Sequence, residues 1–182
     1  MLALGTGAQA ATYEEELVAA ATERQLARDP VWLALLHFEA TAFDATPASL
    51  ADSPDFFLSA AGAHDAQAEL DATLRAFFAP ADAVVREREH PQCVFVARYH
   101  WLRDQLGFDP ARLPPQPCPK FDAWRAAIAP TSVTLVFPEA YMNNPSSMFG
   151  HTLLRFDSGA QGERRDLLAY AANFSADPGD DN

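Results

Sequence analysis

The stretch NNPSSMFGHTLLRF, Asn143 to Phe156, runs from polar turn chemistry into strand-like alternation, and its single imidazole, His151, sits at the joint. A ring that titrates near neutrality, held at the loop end of a strand, is suited to general-base work on a substrate that enters from the loop side. Gly150 has no side chain, so a backbone or an acyl chain can approach the ring closely. Asn144-Pro145 sets a turn, and Asn143, Asn144, Ser146 and Ser147 carry donors able to steady an oxyanion or orient a partner. Alternation places His151, Leu153 and Arg155 on one side, and Thr152, Leu154 and Phe156 on the other, which reads as core. In DLLAYAANF (166–174), Asn173 falls on the side of Leu167, Ala169 and Ala171, where small neighbours leave room for an amide that holds an imidazole in one tautomer. A loop of this composition also suits any long hairpin, and a histidine at a strand end is often simply exposed. A serine mechanism through Ser147 finds no G-x-S-x-G elbow.

A base of this kind needs a nucleophile, and the sequence holds two cysteines, Cys93 and Cys118, 25 positions apart in the loop-like settings HPQC and PPQPCPK. Three readings stay open. In an oxidising compartment the pair closes a disulfide, contributing about 3.5 kcal/mol in the chain-entropy picture. The pair can instead join His90 and His100 as zinc ligands, although H-x2-C-x6-H-x17-C matches no familiar zinc spacing. Or one cysteine is the nucleophile, for which proline-rich flanks supply little of the electropositive or helix N-terminal setting that a reactive thiol requires. His37, His64, His90 and His100 stand alone and read as packed or surface rings. Neither a resident metal nor a cofactor is called for.

The elements that must position these groups change character once. From Thr12 to about Trp124 the signals are helical: Leu17, Ala20, Ala21 and Arg24 at helix spacing; Asp29-Pro30 as N-cap and first-turn proline for VWLALLHF; Asp65 ahead of the stripe Leu70, Leu74, Phe77 and Phe78; and Phe95, Tyr99, Leu102 and Leu106 on one face before the stop at Gly107. Pro114, Pro115, Pro117 and Pro119 form a stiff connector, and a short helix around FDAWRAAI follows. After Pro130 the period becomes that of strands, SVTLVF (132–137), HTLLRF (151–156) and DLLAYAANF, a three-stranded meander. The fold class expected is α+β, with a helical domain over 12–128 and an incomplete sheet domain over 129–182.

With 182 residues and half of them hydrophobic, a real core is within reach. Thirteen Lys and Arg against 25 Asp and Glu give a formal charge of -12, which repels a duplex or an anionic leaflet, so no nucleic acid partner is expected. No apolar run approaches the roughly 18 to 20 residues that span a bilayer. The opening MLALGTGAQA ends in the small-x-small pattern Ala8-Gln9-Ala10, so residues 1–11 read as a signal-peptide remnant without the basic start, and export follows.

Taken together, AYMNNPSSMFGHTLLRFD and LLAYAANF closely resemble the Lnb N-terminal periplasmic domain family of bacterial envelope proteins. DPVWLALLHF, DSPDFFLS, AELDATLRAFF and QCVFVARYHWL look like the helical domain often found in front of it. The family is similar to permuted papain-like thiol enzymes, in which the histidine precedes the cysteine, and is associated with N-acylation of bacterial lipoproteins at the membrane surface. The resemblance implies a periplasmic thiol acyltransferase with a lipid or lipoprotein as acyl donor and acceptor, His151 as general base and Asn173 as the orienting amide. It also implies that Cys93 and Cys118 are a structural pair. In the family the nucleophilic cysteine lies downstream in a stretch resembling E-N-C-S. No cysteine follows Cys118 here, so the expectation is a fragment, inactive alone, with any membrane contact made by the part beyond residue 182. The alternatives are a papain-like cysteine hydrolase and a non-catalytic periplasmic binding or scaffold module.

Overall fold

A computed structural model of the protein describes residues 11–38, 48–51, 53–85, 89–136, 153–158 and 170–173. Among the described residues, six α-helices precede a three-stranded antiparallel sheet, an α+β architecture, and the chain divides into two compact units, Met1–Cys118 and Pro119–Asn182.

In the first unit, helix α1 (Tyr13–Glu23) starts on a capping box: the Thr12 hydroxyl accepts from the Glu15 N–H, and the Glu15 carboxylate accepts from the Thr12 N–H. Asp29 caps α2 (Pro30–Leu35), with Pro30 in the first turn, and Asp65 caps α3 (Ala66–Ala76) by accepting from the N–H groups of Gln67 and Ala68. The segment expected as one helix after Cys93 begins earlier and is broken. His90 caps α4 (Pro91–Val94), Phe95 leaves helical angles, and α5 (Val96–Leu106) follows, ending on Gly107 at φ 65°. That left-handed stop is the one the glycine was expected to supply.

The stripes named above converge on one core. Leu17 and Ala21 of α1, Trp32 and Leu36, Leu70, Leu74 and Phe77, and Tyr99 and Leu102 are all buried together. Each large side chain so buried stabilises the unit by roughly 1.5–3 kcal/mol. Trp32 stacks on Trp101 with centroids 5.6 Å apart, and its indole N–H donates to the Ala66 carbonyl at 3.0 Å. A buried ion pair runs through this core: Arg98 Nη1 donates to Glu69 Oε1 at 2.6 Å, with both residues almost wholly enclosed. The same carboxylate accepts from the N–H groups of Leu58 and Ser59, so it ties the 53–62 segment to α3 and α5.

In the second unit, α6 (Pro119–Ile128) buries Ile128 and turns at Ala129, φ 37°, into strand β1 (Pro130–Val136). Strands β2 (Leu153–Ser158) and β3 (Tyr170–Asn173) complete the sheet in the order β1-β2-β3. Val133 pairs with Phe156, Leu135 with Leu154 and Thr134 with Arg155, while on the other edge Leu153 pairs with Asn173 and Arg155 with Ala171.

Candidate functional site

Directly opposed residues of antiparallel strands share a face, so the register sorts the sheet chemically. One face carries Val133, Leu135, Leu154, Phe156 and Tyr170; the other carries Thr134, Val136, Leu153, Arg155 and Asp157. The side of Leu154 was expected to be core, and that expectation is corrected: Leu154 is 42% exposed, and Val133, Leu135 and Tyr170 are exposed with it. The enclosed residues at the end of β2 are polar, Asp157 at 6% and Ser158 at 8% exposure, and the first is a carboxylate. It can be buried because its charge is met: Thr134 Oγ1 donates to Oδ2 at 2.8 Å, and Arg155 Nε lies 2.9 Å from Oδ1. The Thr131 hydroxyl donates to the Asp157 carbonyl, pinning the irregular start of β1 to the same point. Asp157 went unremarked in the sequence, although alternation puts it two positions beyond Arg155, a spacing that would have shown it.

Of the candidate residues, Asn173 is placed by register alone, directly opposite Leu153, and so beside the strand that begins two positions after His151. His151, Asn143, Asn144, Ser147 and Gly150 lie outside the described residues, as does the signal-like segment 1–10.

The cysteines are settled by geometry. Cys93 and Cys118 form a disulfide, S–S 1.98 Å with Cα atoms 5.3 Å apart, and neither is a free thiol. This overturns the readings of the pair as zinc ligands and as a nucleophile. His90, the third ligand of the zinc reading, is engaged at both nitrogens: Nδ1 accepts from the Gln92 N–H at 3.2 Å, and Nε2 lies 3.1 Å from the Ala79 carbonyl, the donor position of the matching tautomer. His100, the fourth, is exposed beside the Tyr99 ring. Among the described residues no three His, Cys, Asp or Glu side chains converge as a metal site. His37 sits in the left-handed region with its ring edge-on to Phe56, a packing role.

A cavity of about 430 Å³ in the first unit is lined by Thr22, Gln25, Ala27, Arg28, Ala66 and Gln67 and holds none of the residues expected to do chemistry. No helix among the described residues is long and apolar enough to cross a membrane.

Comparison with known families divides the chain as the structure does, into a helical part and a sheet-bearing part. Residues 120–182 match the Lnb N-terminal periplasmic domain, and residues 24–105 match a domain of unknown function, DUF7843. No curated protein and no solved structure matches the chain.

Proposed function

We propose that this periplasmic envelope protein, whose residues 120–182 match the Lnb N-terminal periplasmic domain, supplies the base half of a thiol-dependent acyl-transfer site. His151 is the general base and Asn173 the group that orients it. The observation that supports this most directly is the pairing of Asn173 with Leu153, which brings an amide-bearing residue to the strand that follows the histidine in sequence. Ala171, on the same face as Asn173, is small and exposed, leaving space for a ring or an acyl chain. Both cysteines of the sequence are consumed in the disulfide, so the reading assigns the thiol to polypeptide outside these 182 residues.

In the reaction, His151 accepts the thiol proton, and the thiolate attacks the carbonyl carbon of a lipid or lipoprotein acyl donor. The donor's leaving oxygen takes the proton from the imidazolium as the tetrahedral intermediate collapses to a thioester. An amine then attacks the thioester, His151 removes the ammonium proton, and the sulfur departs. Donors on Asn143, Asn144 and Ser147 are assigned to the developing oxyanion, with Gly150 leaving room for the acyl chain.

The test has two arms. The 182-residue chain incubated with an activated acyl ester should show no covalent acyl adduct by intact-mass spectrometry. In the full-length product of the gene, His151→Ala should lower the rate of acyl-enzyme formation by about 10²–10⁴-fold, the range for losing a positioned base. An adduct on Cys93 or Cys118, or full activity of the alanine variant, would overturn the proposal. The exposed apolar face of Val133, Leu135, Leu154 and Tyr170 favours a second reading, a non-catalytic binding or scaffold module. That reading predicts no adduct from the full-length protein with any acyl ester.

A further inference from the structure

We infer that the Cys93–Cys118 disulfide is a latch on the connector entering the second unit, closed by oxidation and opened by a dithiol, rather than a staple of the helical core. The connector from Pro114 to Pro119 contains four prolines, so only Gln116 and Cys118 have backbone N–H groups with which to fasten it. Gln92, at 1% exposure, holds the first part: its Nε2 donates to the carbonyls of Phe77 at 3.0 Å and Pro114 at 3.3 Å, and its Oε1 accepts from the Gln116 N–H at 2.9 Å. At Cys118 the connector is tied to α4 through sulfur. The Pro117 carbonyl lies 3.4 Å from Cys93 Sγ, but a sulfur in a disulfide has no proton to give it.

The two ends of the latch differ. Cys93 is buried on α4, which is secured independently of the disulfide: the His90 ring reaches the Ala79 carbonyl, and the Gln92 amide reaches the Phe77 carbonyl. Cys118 is half-buried and flanked by Pro117 and Pro119, neither of which has a backbone N–H to give. Opening the bond therefore leaves the helical core closed and frees Pro117 and Cys118, which lead directly into α6.

The chemistry is ordinary exchange with a dithiol as co-reactant. One thiolate of the dithiol attacks the more accessible Cys118 Sγ, the Cys93–Cys118 bond breaks, and Cys93 leaves as a thiolate and is protonated. The second thiol of the reductant, as its thiolate, attacks the reductant's own sulfur in the mixed disulfide and expels Cys118, which is protonated in turn. The dithiol leaves as a disulfide, oxidised by the two electrons that the protein's cysteines have gained.

The test is trypsin digestion of the whole chain under native conditions, oxidised against reduced with dithiothreitol, together with Cys118→Ser, following cleavage after Lys120 and after Arg98 by mass spectrometry. Lys120 lies in the first turn of α6, while Arg98 is buried in the helical core and reports its global opening. Cleavage tracks the population of the open form, so reduction and Cys118→Ser should each speed cutting after Lys120 by about tenfold while leaving Arg98 unchanged. Parallel acceleration at both sites, or a loss of helix by circular dichroism on reduction, would make the bond a staple and overturn the latch. No change at Lys120 would overturn it equally.

Discussion

Glu69→Gln should cost the helical unit more than any surface change. The Glu69 carboxylate is wholly enclosed and accepts from Leu58 N–H at 2.9 Å, Ser59 N–H at 2.8 Å and Arg98 Nη1 at 2.6 Å. Arg98 is 4% exposed, donates from Nη2 to the Phe56 carbonyl at 2.9 Å, and is sandwiched near the rings of Phe56 and Phe95, 4.8 and 4.6 Å from their centroids. Glutamine keeps the shape but turns one acceptor into a donor facing other donors, and it leaves the guanidinium buried without its counter-charge. Removing one partner of such a pair costs about 3–5 kcal/mol, a large part of the roughly 5–15 kcal/mol that holds a domain folded. Urea unfolding followed by far-ultraviolet circular dichroism would read the loss as a lower midpoint at unchanged slope. Arg98→Met in the same background supplies the check. If the pair is coupled, the double variant should lose less than the sum of the singles, by about 0.5–3 kcal/mol. A single-variant loss under about 1 kcal/mol, the size of an exposed ion pair, or strict additivity would refute the clamp.

Gly62→Ala should destabilise by about 1–3 kcal/mol, because a Cβ there overlaps the fixed Glu69 carboxylate and lies 2.8 Å from Phe57 Cδ1, with no slack to give. Gly107→Ala, by contrast, meets nothing within 4 Å and should cost only the left-handed backbone penalty at φ 65°, about 1 kcal/mol; equal losses in urea for the two variants would contradict this contrast. Toward acid, the bidentate hydrogen bonds from Arg112 to Glu16, both 2.7 Å, hold the Glu16 carboxyl below its usual range. Its contribution is thus present above the ordinary glutamate value and lost as pH falls through the lowered one, and Glu16→Gln should flatten the acid limb of a stability-against-pH curve. Toward base, burial raises the Tyr99 phenol, so its contribution is complete below about pH 10 and lost as pH rises through the raised value; Tyr99→Phe should remove that part of the alkaline fall.

The helical unit was largely legible because its signals are local and agree with one another. Thr12, Asp29 and Asp65 cap where side-chain chemistry says they should, Gly107 stops α5, and the 3.6-residue stripes through Leu17, Leu70 and Tyr99 meet in one core. The features that bind distant segments carried no such signal. Glu69 and Arg98 are 29 positions apart, and an isolated charge in an amphipathic helix reads as solvated until its partner is seen. Gln92 is similar: a glutamine beside a cysteine gives no hint that its amide reaches Phe77, Pro114 and Gln116 at once. The disulfide was one of three open readings of the cysteines, because spacing bounds the possibilities without choosing among them.

In the sheet, alternation separated the two faces of β2 correctly but could not say which is enclosed, since period-two patterning is symmetric between in and out. Hydrophobicity alone pointed to the side of Leu154 and Phe156, yet Leu154 is open and Asp157 is covered. Burial of Asp157 is helped by Thr134, which reaches across from β1 and is brought there by the β1–β2 register, and by Arg155 two positions earlier on the same strand. An ion-paired carboxylate can therefore be enclosed on a short strand where a leucine is left open, because an exposed leucine costs little, whereas a buried carboxylate without its partners would cost several kcal/mol per ion.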